Sequence, residues 1–167
     1  NLNAPETIAI CEKRYGPILV KEYAITLGVS GANDVYWWTN EKSDDRRTFA
    51  KALGSEIGRM HKADICHGDL RPGNVLAKQK DNGYEFVFID NERTVQYKML
   101  PWKFRKKNLV QINMLRPGTI GKKDRIIFFN SYMQHNTRIA AKKRLLATQV
   151  ASETAERLKQ SIKKAVP

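Results

Sequence analysis

Three oxygen-bearing side chains recur at spacings that suit chemistry on a phosphate. Asp69 lies in His67-Gly-Asp-Leu-Arg-Pro-Gly-Asn74, Asn74 follows it by five positions, and Asp90 ends the apolar run Phe86-Val-Phe-Ile89. Any one of them alone would read as a turn former. Together they fit phosphoryl transfer, which needs an acid group to orient an attacking hydroxyl and oxygen ligands to hold Mg²⁺ against nucleotide phosphates. Other reactive residue types carry less. His61 and His135 fall on predicted helices with no second ligand at metal spacing, and neither is assigned a role. Cys11 and Cys66 lack a CxxC partner, so neither a disulfide framework nor a zinc site is indicated, and both are expected to be buried small apolar residues.

The elements around these residues follow from periodicity and turn chemistry. The runs Thr7 to Cys11 and Ile18 to Ala24, separated by Tyr15-Gly-Pro17, predict a hairpin. Gly28 to Asn33 and the charged stretch Glu41 to Arg47 read as a linker that carries the aromatic cluster Tyr36-Trp-Trp38, which is expected to pack on the core rather than stack on a ligand. Phe49, Leu53, Ile57 and Met60 recur at helical spacing and predict a helix from Asp45 to Lys62, capped by Ser43, Asp44 or Asp45. Pro72 and two glycines place residues 67–74 in a loop, and the strands Val75 to Ala77 and Phe86 to Ile89 flank a turn at Asp81-Asn-Gly83. Helices are predicted near Phe104 to Leu115, Lys123 to His135 and Thr137 to Lys164. A small sheet, a helix, a hairpin and then helices make an α+β order, not a doubly wound one.

Composition bounds the partners. A chain of 167 residues that is 41% hydrophobic suits one cored domain or one large lobe. No run approaches the roughly 20 apolar residues that span a bilayer, and the first ten residues lack signal-peptide character, so export is not expected. The net charge of +13 resides wholly in residues 101–167, where only Asp124, Glu153 and Glu156 are acidic. Such a one-sided field favours an anionic partner: nucleic acid, an acidic membrane or a phosphorylated glycolipid. Nucleic acid is the least favoured, because few aromatics interleave the basic residues as stacking platforms. In the last helix Ile139, Leu146, Val150, Leu158 and Ile162 form an apolar stripe opposite Lys142, Lys143, Arg144, Lys159 and Lys163. It fits either a helix lying on anionic lipid or one packed on its own lobe.

The spacing of His67-Gly-Asp69, four residues and Asn74 matches the kinase catalytic loop, and Met60 to Cys66 resembles the end of the helix that leads into it. Glycine after the histidine, Arg71 where protein kinases carry lysine, and Asp90-Asn-Glu-Arg93 resemble the lipopolysaccharide (Kdo and heptose) kinase family. A basic helix, Arg105 to Arg116, and an aromatic one, Phe128 to Tyr132, are similar to that family too, and the resemblance runs from about residue 7 to 135. It implies a protein-kinase-like fold, mainly the helical C-terminal lobe (28–167) after a remnant of the small lobe and hinge (1–27).

On this resemblance Asp69 orients the acceptor hydroxyl, Asn74 and Asp90 bind Mg²⁺, and His67 supports the loop. Ile18 to Ala24 becomes the hinge strand, with the backbone of Glu22 and Ala24 holding the adenine of ATP. The implied reaction is transfer of the ATP γ-phosphate to a sugar hydroxyl of the lipopolysaccharide inner core, at the cytoplasmic face of the inner membrane. The glycine-rich strand pair, the phosphate-binding lysine and its glutamate partner have no counterpart here, so about half of a small lobe is expected to be missing, with Lys21 a stand-in cation. Two rivals remain. An aminoglycoside-type phosphotransferase shares the loop but binds cationic drugs, which the basic third disfavours. A pseudokinase-like module would instead dock on a membrane or nucleic acid.

Overall fold

The computed structural model describes residues 2–40, 45–116 and 118–165, the side chains at 164 and 165 excepted. It opens with a two-stranded antiparallel hairpin, β1 (Thr7–Tyr15) and β2 (Ile18–Thr26). Both strands outrun their predicted ends: β2 adds the β-branched Ile25 and Thr26, and β1 continues through the charged Glu12, Lys13 and Arg14 to Tyr15 because cross-strand pairing with β2 carries it to the turn. Gly16 at φ 59° supplies the positive φ that a two-residue hairpin connection needs at its first position. Apart from half-buried Ala9, every residue of the hairpin is exposed. Cys11 is therefore exposed, against expectation, since a sheet of two strands covers neither of its faces; Cys66 is buried as expected.

The stretch read as a linker contains β3 (Asn33–Asp34) and a short helix, α1 (Val35–Asn40). The Asp34 carboxylate accepts the Trp37 backbone N–H at 2.8 Å, starting that helix. Trp38 packs inward as expected, stacked on Phe49 with its indole N–H on Ala77 O at 3.1 Å. Tyr36 and Trp37 stay exposed, correcting the expectation for those two, because a short helix can turn only one face to the core.

Helix α2 (Arg46–Lys62) buries the predicted stripe of Phe49, Leu53, Ile57 and Met60. Of its candidate caps, Ser43 and Asp44 lie outside the described residues. Asp45 stands at the cap position, and its carboxyl is held low by hydrogen bonds from Thr48 and Tyr84. The chain continues through β4 (Ile65–Cys66), the 67–74 loop, β5 (Val75–Lys80), β6 (Gly83–Phe88) and β7 (Val95–Gln96). Strands β3, β5 and β6 form one antiparallel sheet, and β4 pairs with β7. The loop thus leaves β4 for β5, and Asp90 falls between β6 and β7.

Three helices complete the fold: α3 (Trp102–Ile112), α4 (Lys122–His135) and α5 (Lys143–Ala165). Residues 137–142 are 3₁₀ rather than the start of the last α-helix, and Ile139 has non-helical angles. Helices α2 and α4 meet backbone to backbone: a Cβ on Gly54 would lie 2.2 Å from Phe128 O, and one on Gly58 2.9 Å from Tyr132 O. Helix α5 buries Leu146 and Val150 against the lobe, while Lys142, Lys143, Arg144, Lys159 and Lys163 are exposed. The packed-helix reading therefore holds for its first half.

One cation of the basic helix is internal. Arg105 is buried, with Nη1 donating to Tyr132 Oη and Asn136 Oδ1, each at 2.6 Å. Tyr132 Oη lies 3.0 Å from His61 Nδ1, and His61 Nε2 lies 3.2 Å from Asn108 Oδ1. The amide oxygen can only accept, so Nε2 carries the proton and the tyrosine donates to Nδ1.

Candidate active site

The 67–74 loop is fixed at its base by His67. The ring is buried, and Nε2 donates to Ile89 O at 3.1 Å, tying the loop to the residue before Asp90. Burial pushes the imidazole pKa down, against the opposing Ile89 bond and the charges of Asp90 and Asp69. Gly68 has φ 79°, and a Cβ there would sit 2.3 Å from Arg93 O. Residues Pro72–Asn74 make a 3₁₀ turn, and Asn74 O accepts Ile89 N–H at 3.1 Å. His67 and Asn74 thus bind the same strand end from two sides.

The structure brings Asp69, Asn74 and Asp90 together. Asp69 Oδ1 accepts from Arg71 Nε at 2.9 Å and from Gln111 Nε2 at 2.8 Å. Its Oδ2 has no protein donor among the described residues. Asn74 Nδ2 donates to Asp69 O at 2.9 Å and to Asp90 Oδ2 at 3.4 Å. With Nδ2 engaged, Asn74 Oδ1 remains for a ligand. Asp90 has φ 60° and ψ 53°, a left-handed conformation that costs a non-glycine residue about 1–3 kcal/mol and persists only where its surroundings enforce it.

Helix α3 holds the loop from beneath. Lys107 Nζ donates to Gly68 O at 2.7 Å, Asn108 Oδ1 accepts His67 N–H at 3.2 Å, and Gln111 Oε1 accepts Leu70 N–H at 3.3 Å. Gln111 reaches both the loop backbone and the Asp69 carboxylate. These three residues were not singled out from sequence. Their one signal is that Lys107 and Gln111 share a helical face while Asn108 interrupts it with a second polar group.

Asn74 Oδ1 and the Asp90 carboxylate are suited to Mg²⁺, a hard cation ordinarily held by one or two carboxylates with substrate phosphates filling other positions. No cluster of three or more His, Cys, Asp or Glu suited to a metal occurs among the described residues, so nothing here resembles an all-protein cage. Glu22 and Ala24 belong to the hairpin. Both are on exposed β2, where Glu22 pairs with Glu12 and Ala24 with Ile10, and no hydrogen bond among the described residues links them to the loop. Lys21 sits opposite Lys13 in the same hairpin.

The lipopolysaccharide kinase (Kdo/WaaP) family model matches residues 1–132. This chain belongs to that family. Among curated proteins it is similar to the 3-deoxy-D-manno-octulosonic acid kinase of Pasteurella multocida (strain Pm70), 22% identical over 118 residues that make up 71% of this chain and 49% of that enzyme. A shorter match joins it to EKC/KEOPS complex subunit bud32 of Dictyostelium discoideum, 36% identical over 59 residues, 33% of this chain and 23% of that protein. The chain spans about half the length of the first of these relatives. Among solved structures, WaaP in complex with acyl carrier protein superposes with a TM-score of 0.72 at 18% identity, over 94% of this chain and 70% of that one. The α+β, kinase-like fold is thereby established for this member of the lipopolysaccharide kinase family. No helix among the described residues is long and apolar enough to cross a membrane.

Proposed function

We propose that this chain carries the metal- and acceptor-binding lobe of an ATP-dependent sugar kinase that phosphorylates a hydroxyl of the lipopolysaccharide inner core. The observation that carries it is the state of Asp69: two donors hold Oδ1, Oδ2 remains for a substrate hydroxyl, and the Asn74 amide connects its backbone to Asp90. Asp69 orients the hydroxyl and takes its proton as the hydroxyl oxygen bonds to the γ-phosphorus of ATP and the bond from that phosphorus to the bridging oxygen breaks, ADP leaving. Asn74 Oδ1 and Asp90 hold Mg²⁺, whose chemistry when bound is to neutralise charge on the nucleotide phosphates. His67, Lys107, Asn108 and Gln111 keep these groups at fixed separations, which is most of what a protein contributes to phosphoryl transfer.

Residues 28–167 form the lobe, and residues 1–27 are the hinge and remnant of a small lobe, where the backbone of Glu22 and Ala24 receives adenine and Lys21 lies on the strand leading there. The exposed cations of α5 support peripheral contact with an anionic membrane at its cytoplasmic side. Calorimetry of ATP binding with and without Mg²⁺, on this chain and Asp90→Asn, tests the reading. Mg²⁺-dependent binding that the substitution removes is expected, followed by phosphate transfer to core oligosaccharide that Asp69→Asn abolishes. Absence of ATP binding by the unaltered chain overturns the reading for this chain. The second reading, a non-catalytic module on an anionic surface, would then stand, favoured by exposed Leu145 and Ile162 among the cations of α5.

A further inference from the structure

Asp69 is the last acceptor of a one-way chain of hydrogen bonds that begins at a buried cation. Arg105 Nη1 donates to Tyr132 Oη at 2.6 Å, the Tyr132 hydroxyl to His61 Nδ1 at 3.0 Å, and His61 Nε2 to Asn108 Oδ1 at 3.2 Å. From there Asn108 Nδ2 donates to Gln111 Oε1 at 3.1 Å, and Gln111 Nε2 to Asp69 Oδ1 at 2.8 Å. Every bond points toward the carboxylate.

The direction is fixed along the whole chain. Burial pushes the Tyr132 phenol pKa up to about 12, so the hydroxyl keeps the proton that it donates. Neighbouring backbone groups pin both amides, since Asn108 Oδ1 also accepts the His67 N–H at 3.2 Å and Gln111 Oε1 the Leu70 N–H at 3.3 Å. Turning either amide over would set its NH2 group against two N–H donors. The chain also joins two charges. Arg105 is buried and has no carboxylate partner among the described residues; its other acceptors are Asn136 Oδ1 and His61 O. Buried charges are ordinarily paired, and the carboxylate to which these hydrogen bonds lead is that of Asp69.

We infer that Arg105, Tyr132 and His61 are positioning residues for Asp69: their aligned bonds keep the Gln111 N–H on Oδ1, so that Oδ2 is the oxygen left for the acceptor hydroxyl. The inference rests on the kinase reading of Asp69, but the chain is a property of the fold. Aligned hydrogen bonds strengthen one another by about 10–30% per bond, and a cation at the donor end adds to the effect. His61 is the member that can be cut without removing a bond to the 67–74 loop, because the bonds to His67 N and Leu70 N stay in place.

Steady-state kinetics of phosphate transfer on a double-mutant cycle reads the coupling. His61→Met cannot donate to Asn108 and should lower kcat about fivefold with KM for ATP unchanged, whereas His61→Gln can donate and should keep it. In a Gln111→Ala background the link to Asp69 is already cut, and His61→Met should change kcat by less than about twofold. If His61→Met does not fold, Tyr132→Phe severs the chain one bond earlier and takes its place in both backgrounds. A merely structural histidine lowers stability and not the kcat of the folded protein, so an unchanged kcat, or an equal loss in both backgrounds, overturns the inference. Solvent exchange of the Gln111 side-chain NH2, followed by NMR without nucleotide, tests the chain apart from the reaction. Exchange should be slow in the unaltered protein and roughly tenfold faster in His61→Met. Equal exchange in the two proteins also overturns the inference. Protection that His61→Met removes, in a protein that transfers no phosphate, would refute the kinase reading and leave the chain standing.

Discussion

His61 predicts a pH dependence of stability that can be worked out in advance. Its ring is fully buried between Tyr132 and Asn108, and burial first, with Arg105 close by second, pushes its pKa from 6.5 down to about 3. The folded protein therefore keeps the ring neutral down to about pH 3, whereas the unfolded chain protonates it below 6.5. The unfolded state binds the extra proton, so stability rises with pH across that window and is lost progressively as pH falls through it. For one group with those values the loss between pH 7 and pH 5 is about 2 kcal/mol, or a fall in Tm of roughly 4–8 °C for a domain of this size.

The test is urea unfolding at pH 7 and pH 5 for the unaltered chain and His61→Gln, whose amide can still donate to Asn108 and accept from Tyr132. Burial also lowers the pKa values of His67 and His135, so the unaltered chain loses stability on acidification by more than His61 alone explains. The quantity to compare is the difference between the two pH values, not stability itself. It should shrink by about 2 kcal/mol in His61→Gln. Equal acid sensitivity in both proteins would show that His61 is not held neutral and that the Arg105–Tyr132–His61 arrangement is wrong.

Gly54→Ala sets helix propensity against packing: alanine is favoured in a helix interior by about 1 kcal/mol, yet its Cβ would meet Phe128 O. Packing should win, and a lower urea midpoint checks it; a higher one would mean that α2 and α4 separate cheaply. Gln111→Ala leaves the Leu70 N–H without its acceptor and Asp69 Oδ1 with one donor fewer, so kcat should fall tenfold or more with Mg²⁺-ATP affinity unchanged. Steady-state kinetics of transfer, beside nucleotide calorimetry, reads both. Lys107→Met removes the bond to Gly68 O and should likewise lower kcat more than it lowers Tm, whereas a merely structural lysine would lower Tm alone.

The sequence exposes what is periodic or local and hides what depends on a neighbour far along the chain. Helix α2 could be read because four apolar residues recur on one face, and the hairpin because Gly-Pro splits two strand-forming runs. Arg105 sits in a basic segment that gives no sign of its burial, because its partners Tyr132 and Asn136 lie on a different helix and beyond its end. Cys11 looked like a small core residue because its strand is apolar, but apolar residues are buried only if another layer covers them, and nothing described covers β1. The aromatic cluster was read as a unit, although α1 divides it between core and surface. Of the candidate site, the three oxygen-bearing residues that the fold brings together could be picked out by spacing, and the residues that hold them could not. A lysine, an asparagine and a glutamine on a cationic helix have no pattern that distinguishes a clamp from a solvated face.

The two motifs read from sequence as separate spacings form one packed object. His67 bonds Ile89 O, Thr94 Oγ1 donates to His67 O at 3.3 Å, and Arg93 O occupies the place where a side chain on residue 68 would begin. The turn after Asp90 therefore lies directly on the loop that carries Asp69, which only a glycine at position 68 permits. The turn at 91–93 that packs there follows directly on the left-handed Asp90, so the contact and that backbone conformation are expected to depend on one another. Gly68→Ala tests this coupling. Its Cβ has no flexible neighbour to displace, and φ is positive, so the turn must lift away. Mg²⁺-dependent nucleotide binding should then be lost with that turn, although position 68 contributes no side chain to the site. Intact nucleotide affinity in Gly68→Ala would show that Asp90 is positioned independently of the Asp69 loop.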